Sequence, residues 1–447
     1  MGNIPQINDR WPIPMTITRF APSPTGTLHI GNVRTALHNF LFARRHGGRF
    51  MLRIDDTDLA RSKEEYVEGI RADLAWLGLN PDGEVRQSAR FDLYDREFER
   101  LKAAGRVYAC YETPEELDLR RKILAGRGLP PVYERPPEGA PIPKDRQAHY
   151  RFKLDHTAPI GWYDLVRGEQ KFDPKLLSDP VIRRGDGSWL YLLPSVIDDI
   201  DMAVTHVVRG EDHVTNTATQ VQMFQALGAP VPVFAHEALL TGAEGKLSKR
   251  IGSMGMTEFR KAGIEPIAIA ALLAKLGTSD PIEPVTSLAP LIESIDFRHF
   301  GRAPARFDDT ELAALNARIL HMTDYGAVAA RLPTGMGAEA WHAVRGNITT
   351  LADVAEWWTV ISGDIAPVVA EEDRAFIVQA AAAAETLDWG DDPWHALTAA
   401  LKASTDRKGK ALFLPLRRAL TGHDHGPEMA ALLPLIGKGR ALARLGR

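Results

Sequence analysis

The spacing of hydrophobic residues changes character twice along this chain. At the front, Thr16 to Phe20 reads as a strand, and a loop of Pro, Ser, Thr and Gly follows it. Val33, Leu37, Phe40 and Leu41 then fall on one side of a helix from about Asn32 to Arg45. His46-Gly47-Gly48 ends that helix, and Phe50 to Ile54 reads as the next strand. This β–loop–α–β order opens a nucleotide-binding α/β sheet, in which ligands sit beyond the carboxyl ends of the strands. Asp55-Asp56-Thr57-Asp58 stands at such an end. Amphipathic spacing predicts further helices over Lys63 to Leu77 and Phe91 to Ala104.

Between about Cys110 and Asp179 the pattern breaks. Pro130-Pro131, Pro136-Pro137 and Pro141 to Pro143 punctuate a polar stretch, with short strand candidates at His149 to Leu154 and Trp162 to Val166. This texture predicts a small domain inserted into the sheet domain. The α/β pattern resumes with Trp189 to Leu193, Val204 to Val208, a helix near Thr217 to Leu227, and Val233 to Leu240. Beyond Lys249 helical spacing takes over at Met256 to Lys261, Pro266 to Leu276 and Asp309 to Leu320. Alanine and leucine periodicity carries it from about 325 onward. The prediction is an interrupted α/β domain in front of a helical half.

Composition narrows the class without naming a function. A chain of 447 residues is too long for one core, so two to four domains are expected. With 45% apolar and 25% charged residues it has no disordered or fibrous bias. Its one membrane-like run, Ala375 to Ala384, is short, interrupted by Gln379 and flanked by Arg374 and Glu385; it reads as a helix, and no membrane partner is expected. Residues 1–14 carry no signal-peptide pattern and are expected to be a loose extension, with Met1 and Met15 both candidate starts. The single cysteine, Cys110, excludes an intrachain disulfide framework and fits a cytoplasmic protein. A net charge of -4 argues against non-specific coating of nucleic acid, yet Lys402, Arg407, Lys408, Lys410, Arg417 and Arg418 stand close together against Asp406. That run suits either a solvated face or a phosphate-binding one.

Two short stretches carry the chemistry. In Pro22-Ser23-Pro24-Thr25-Gly26-Thr27-Leu28-His29-Ile30-Gly31-Asn32, His29 and Asn32 bracket a helix start, where free N–H groups and the helix dipole favour a phosphate. Gly26 allows the preceding turn, and a bulky side chain at Gly31 would crowd a nucleotide. A cationic or hydrogen-bonding His29 can stabilise charge growing on an α-phosphate; a tight turn with a helix cap is the plain alternative. The string lacks the P-loop pattern, which argues against γ-phosphoryl transfer. In Lys246-Leu247-Ser248-Lys249-Arg250, two ammonium groups on flexible stems suit a departing pyrophosphate, although a solvated lysine pair is the default reading of this stretch alone.

Together these stretches, with others, carry a resemblance. His29-Ile30-Gly31-Asn32 and Lys246-Leu247-Ser248-Lys249-Arg250 match the two ATP signatures of class I aminoacyl-tRNA synthetases. Arg19 to Gly26, Arg53 to Asp58, Arg209-Gly210-Glu211-Asp212-His213 and Lys408 to Gly422 resemble glutamate-family blocks. Over residues 16–447 the chain resembles a bacterial-type glutamyl-tRNA synthetase. The resemblance implies an interrupted Rossmann-like catalytic domain and an all-helical C-terminal half. It divides the chain into residues 15–97 and 189–248 as the catalytic halves, 98–188 as an inserted acceptor-end domain, 249–325 as a stem-contact domain and 326–447 as an anticodon-binding domain.

It also implies ATP-dependent attachment of L-glutamate to tRNA(Glu) through glutamyl-adenylate, with tRNA(Gln) as a second possible acceptor, in a monomer. The first step is expected to require bound tRNA. His29, Lys249 and Lys246 would act on the activation transition state, with Gly26, Gly31, Asn32 and Asp212 completing the ATP site. Arg19, Ser23, Asp55, Tyr191, Ser195 and Arg209 would hold glutamate, the two arginines on carboxylates and Asp55 on the ammonium group. Asp55 is one methylene shorter than the family's glutamate, Ser195 replaces a longer polar residue, and Asn32 stands where the fullest signature has a second histidine. Magnesium would arrive with ATP. Some relatives bind zinc through a Cys-x-Cys pair and two later ligands; here Glu112 follows Cys110, no later cysteine exists, and no structural zinc is expected. Trp341, Arg345, Arg417 and Arg440 are candidate anticodon or backbone contacts, each with a structural alternative.

Overall fold

A computed structural model describes residues 15–137, 139, 141–242 and 255–446. The expected extension over 1–14 and the Lys246–Arg250 stretch lie outside the described residues. The chain forms two compact units. The first holds the described residues up to Phe259, with Ile269–Glu283 and Ser287–Asp308; the second holds Arg260–Ala268, Pro284–Thr286 and the chain from Asp309 onward.

The first unit is built as the opening pattern predicts. Strand β1 (Ile17–Phe20) leads through the Pro/Ser/Gly loop into α1 (Ile30–Arg45), and β2 (Arg49–Ile54) returns parallel to β1. Helix α2 (Glu64–Trp76) crosses to β3 (Gly83–Arg86), parallel to β2, and α3 (Phe91–Ala103) follows. Strand β3 is polar and lacks a fully buried residue, which is why hydrophobic spacing does not announce it. Strand β4 (Val107–Cys110) precedes α4 (Pro114–Gly126), a helix with no buried residue. Its signal is local instead: Thr113 caps Glu116, whose side chain returns to the Thr113 N–H, with Pro114 at the first helical position.

Next come β5 (His149–Phe152), β6 (Ile160–Asp164), β7 (Gly168–Phe172) and β8 (Val181–Arg183). Strands β4, β5 and β8 form their own antiparallel sheet. The others do not stay with it. Strand β7 pairs with β6, and β6 joins a sheet whose remaining members are β10 (Val233–Glu237) and β9 (His206–Gly210), in the order β7-β6-β10-β9. Helices α5 (Leu192–Asp201) and α6 (Val214–Ala226) pack with α3 around a core containing Phe98, Phe152, Leu193, Val207 and Phe234. The Trp189–Leu193 stretch is therefore mostly the entry to α5 rather than a strand.

Strand β9 meets β1 at its beginning, where the Thr205 N–H donates to the Ile17 carbonyl at 2.9 Å. Behind the pair, the Asn39 amide on α1 donates to the Val208 carbonyl at 3.0 Å and Thr18 Oγ1 donates to the Asn39 carbonyl at 2.9 Å. A crevice opens at the carboxyl ends of β1 and β9, where a doubly wound sheet reverses its direction of build.

The second unit is helical. Trp341, Leu397, Leu412, Leu416, Leu432 and Ile436 lie in one buried core. Trp341 is fully buried and its Nε1–H donates to the Thr323 carbonyl at 3.0 Å, so it serves the core and offers no base-stacking face. Arg345 donates to the same carbonyl at 2.8 Å, and Arg417 to Pro427 O at 3.0 Å. Arg440 is exposed. Among the described residues, no helix is long and apolar enough to cross a membrane.

Candidate active site

The crevice holds a cavity of about 1030 Å³. Every site residue expected from the sequence and lying among the described residues lines it: Arg19, Ser23, Gly26, His29, Gly31 and Asn32 from the first β–α turn, and Asp55, Tyr191, Ser195, Arg209 and Asp212 from four later elements. Lys246 and Lys249 lie outside the described residues.

The lip of the cavity is the start of α1. His29 is the N-cap in extended backbone, and its Nδ1 accepts from the N–H groups of Gly31 at 3.2 Å and Asn32 at 3.4 Å. Asn32 Oδ1 returns to the His29 N–H at 3.4 Å. An acceptor at Nδ1 places the ring proton on Nε2. Desolvation by the surrounding loop lowers the imidazole pKa below its usual value. Of the two forms the sequence allows, the geometry selects a neutral ring that donates from Nε2 over a cation. No acid stands in the first turn of α1, so the positive end of the helix is open to a phosphate. A Cβ on Gly31 would come within 3.1 Å of the His29 ring, so a larger residue there would push the ring aside by a few tenths of an ångström. Gly26 has open space at its Cβ position, so its turn does not demand glycine.

The floor is a lattice of buried charge. Arg19 Nε donates to Asp199 Oδ1 at 3.0 Å, and Nε is its only bonded side-chain nitrogen among the described residues. Arg53, fully buried, bonds both oxygens of Asp55 at 2.6 and 3.0 Å, Asp199 at 2.8 Å, and Ser195 through its carbonyl at 3.2 Å and hydroxyl at 3.3 Å. Asp198 accepts from Gln87, Arg90 and Tyr94 on the side of α3. Burial pushes the Asp55 carboxyl up to about 6, because Arg53 divides its charge among Asp55, Asp199 and Asp198 and only partly offsets the lost solvation.

Arg209 differs from these arginines. It has no ion pair among the described residues; its bonds go to Thr217 Oγ1 at 2.5 Å, Gln220 Oε1 at 2.7 Å and His236 Nε2 at 3.3 Å. Burial and the neighbouring Arg19 lower its pKa to about 10, still cationic at neutral pH. A buried guanidinium bonded to neutral acceptors keeps its full charge for an anionic ligand. Tyr191 and Asp212 stand at the exposed rim, the Tyr191 hydroxyl 3.4 Å from His213 Nδ1. Asp212 folds back over Gly210, where a Cβ would meet its Oδ1 at 2.4 Å.

Sequence reasoning overlooked Arg53 as a site group, together with Asp199, Thr217, Gln220 and His236. For Arg53 a signal was present, a buried-strand arginine two residues before Asp55. The others become neighbours only through the sheet.

The inserted stretch has one more cluster. Cys110 and His149 are cross-strand partners in β4 and β5, and Cys110, Glu112 and His149 bring one ligand atom each within 4.8 Å of one another. His149 is thus a later donor that the search for a second cysteine passes over. The Tyr133 hydroxyl lies 3.2 Å from Cys110 Sγ and 3.0 Å from Glu112 Oε1. Burial pushes the thiol pKa up. These three donors are one short of the closed tetrahedral set of a structural zinc, counted among the described residues.

Comparison with known proteins agrees with this geometry. Residues 15–314 match the family described as tRNA synthetases class I (E and Q), catalytic domain, and residues 321–447 match the anticodon binding domain family. The chain is 69% identical to glutamate–tRNA ligase 2 of Sphingopyxis alaskensis, over 96% of this chain and 99% of that protein. It is 64% identical to glutamate–tRNA ligase 1 of Rhizorhabdus wittichii over 96% and 99% of the two chains. The crystal structure of a glutamate tRNA ligase from Elizabethkingia meningosepticum in complex with its amino acid superposes with a TM-score of 0.81 at 28% identity, covering 96% of this chain and 98% of that one. A helix start capped for phosphate, an unpaired arginine for an anion and these family matches converge: the chain belongs to the bacterial-type glutamyl-tRNA synthetases of class I.

Proposed function

We propose that this chain attaches L-glutamate to the 3′ end of tRNA(Glu) at the expense of ATP, through glutamyl-adenylate, releasing AMP and diphosphate. The observation that carries the reading is one cavity with a phosphate-ready helix start at its lip and the unpaired Arg209 guanidinium at its floor. Glutamate's side-chain carboxylate binds Arg209, and its ammonium group binds Asp55, held by Arg53. The free nitrogens of Arg19 face a carboxylate. An α-carboxylate oxygen attacks the α-phosphorus of ATP, whose magnesium arrives with the nucleotide, and pyrophosphate leaves. The His29 Nε2–H donates to the phosphate oxygen on which charge grows, and the helix N-terminus adds a fixed field. Lys246 and Lys249 are assigned to the leaving pyrophosphate. The 2′-hydroxyl of the tRNA's terminal adenosine then attacks the glutamyl carbonyl carbon and AMP departs. Residues 98–188 are assigned to the acceptor end, 249–325 to the stem and 326–447 to the anticodon.

The chain is read as a cytoplasmic monomer that charges tRNA(Glu), with tRNA(Gln) as a second acceptor to be tested. Purified protein is incubated with labelled glutamate, ATP, magnesium and each tRNA separately. Charging of tRNA(Glu) alone identifies a discriminating enzyme, and charging of both a relaxed one. Charging of neither, with tRNA still bound, removes the catalytic reading.

A further inference from the structure

Behind Arg209 lies a buried pair that the reaction as described does not use. Asp164 ends β6, within the inserted stretch, and His236 lies in β10; Asp164 pairs with Phe234 across the parallel β6–β10 ladder. Both side chains are fully buried, and His236 Nδ1 lies 2.5 Å from Asp164 Oδ2. The other carboxylate oxygen accepts three backbone N–H groups, Val166 at 3.0 Å, Arg167 at 2.9 Å and His236 at 3.1 Å. Although burial acts the other way, these bonds hold the Asp164 carboxyl below its usual range.

The consequence is directional. An ionised Asp164 accepts only, so His236 carries its proton on Nδ1 and turns the Nε2 lone pair toward the crevice. There Nε2 is 2.8 Å from Thr217 Oγ1 and 3.3 Å from Arg209 Nε. The Thr217 hydroxyl can then donate to His236 and keep its own lone pairs for Arg209 Nη2. With the opposite tautomer, an N–H at Nε2 would confront the Arg209 Nε–H and take up a Thr217 lone pair, with the Thr217 hydroxyl turned to the His213 carbonyl at 3.2 Å.

We propose that Asp164 and His236 form a positioning pair that orients Arg209 and so sets the preference for a carboxylate over a carboxamide on the substrate side chain. The inference rests on the assignment of Arg209 to glutamate's side-chain carboxylate. It makes the inserted stretch part of amino-acid selection, since β6 supplies the charge that fixes the histidine.

The test compares His236→Asn and Asp164→Asn in the full chain, with Arg209→Gln as reference. An asparagine at 236 still offers an amide to Asp164 at the Nδ1 position but puts nothing at the Nε2 position. An asparagine at 164 must present its oxygen to the three backbone donors, so its NH2 faces His236 and forces the wrong tautomer. Charging of tRNA(Glu) is measured with glutamate and ATP varied in turn, with glutamine as competitor. Both position variants are expected to raise the KM for glutamate by about 10- to 100-fold. The KM for ATP should stay within about twofold, and the advantage of glutamate over glutamine should narrow by the same factor as glutamate's KM rises. The proposal is overturned if folded variants keep the glutamate KM, or if both KM values rise together with a loss of thermal stability. If Arg209→Gln itself leaves the glutamate KM unchanged, the carboxylate assignment has failed. If only the pair's variants leave it unchanged, the assignment stands and the positioning role falls.

Discussion

Asp55 shows how one shortened side chain is accommodated. The resemblance leads one to expect a glutamate at this position and a longer polar residue at Ser195; Arg53 grips the aspartate through both oxygens and also bonds the Ser195 hydroxyl. Because burial pushes Asp55 up to about 6, it loses its charge, and with it the proposed ammonium site, as pH falls through that value. The kcat/KM for glutamate should therefore drop about tenfold per pH unit below 6, a limb that reports the free enzyme; a flat profile down to pH 5 removes Asp55 from the ammonium site. His29 caps α1 through Nδ1, and the proposed donation to phosphate through Nε2 is a separable task. Asparagine is also a good N-cap. His29→Asn should thus leave the melting temperature almost unchanged while lowering kcat by about 100-fold, the usual cost of one lost transition-state donor. An equal loss in stability and activity would make the residue a cap alone.

At the scale of elements, the first β–α–β unit is tightly specified by close backbone approach. A Cβ on Gly48 would stand 2.0 Å from the Thr16 carbonyl, where β2 begins against β1. Gly48→Ala should cost about 1 to 3 kcal/mol through displaced backbone, seen as a lower thermal midpoint, and an unchanged midpoint would mean the strands reseat without strain. In the helical unit, the basic run resolves into separate fates. Arg407 pairs with Asp373 and Arg418 with Asp424, whereas Lys402, Lys408 and Lys410 are exposed without a salt bridge among the described residues. The arginines stitch helices and loops together, and the lysines remain for solvent or phosphate.

For the molecule as a whole, a net charge of -4 means that tRNA must be held by local basic surfaces rather than by overall attraction. Its affinity should still carry the signature of counterion release. Neutralising about four phosphates would weaken binding on the order of a hundredfold between ~50 and ~200 mM salt. A salt-independent Kd in a filter-binding titration would contradict phosphate-led recognition.

The sequence by itself determined the opening β–α–β unit, the helical second half and the crevice residues, because those signals are local. Helix and strand periods, the His29 cap and contiguous motif blocks all lie within a few residues of one another. Even α4, which hydrophobic spacing does not reveal, is written locally in Thr113-Pro114 and Glu116. What the tertiary structure alone decided is who faces whom. Arg19 and Arg53 meet Asp199, Cys110 meets His149, and Asp164 meets His236 through strand pairing and helix packing between residues far apart in the chain. Trp341, which as a sequence feature suits stacking on a base, is buried because its neighbours close over it. The charge state of each group follows the same division: the residue type fixes which groups can ionise, but only burial and partners choose that Arg209 has neutral acceptors and no ion pair among the described residues, and that Asp55 is pushed up to about 6.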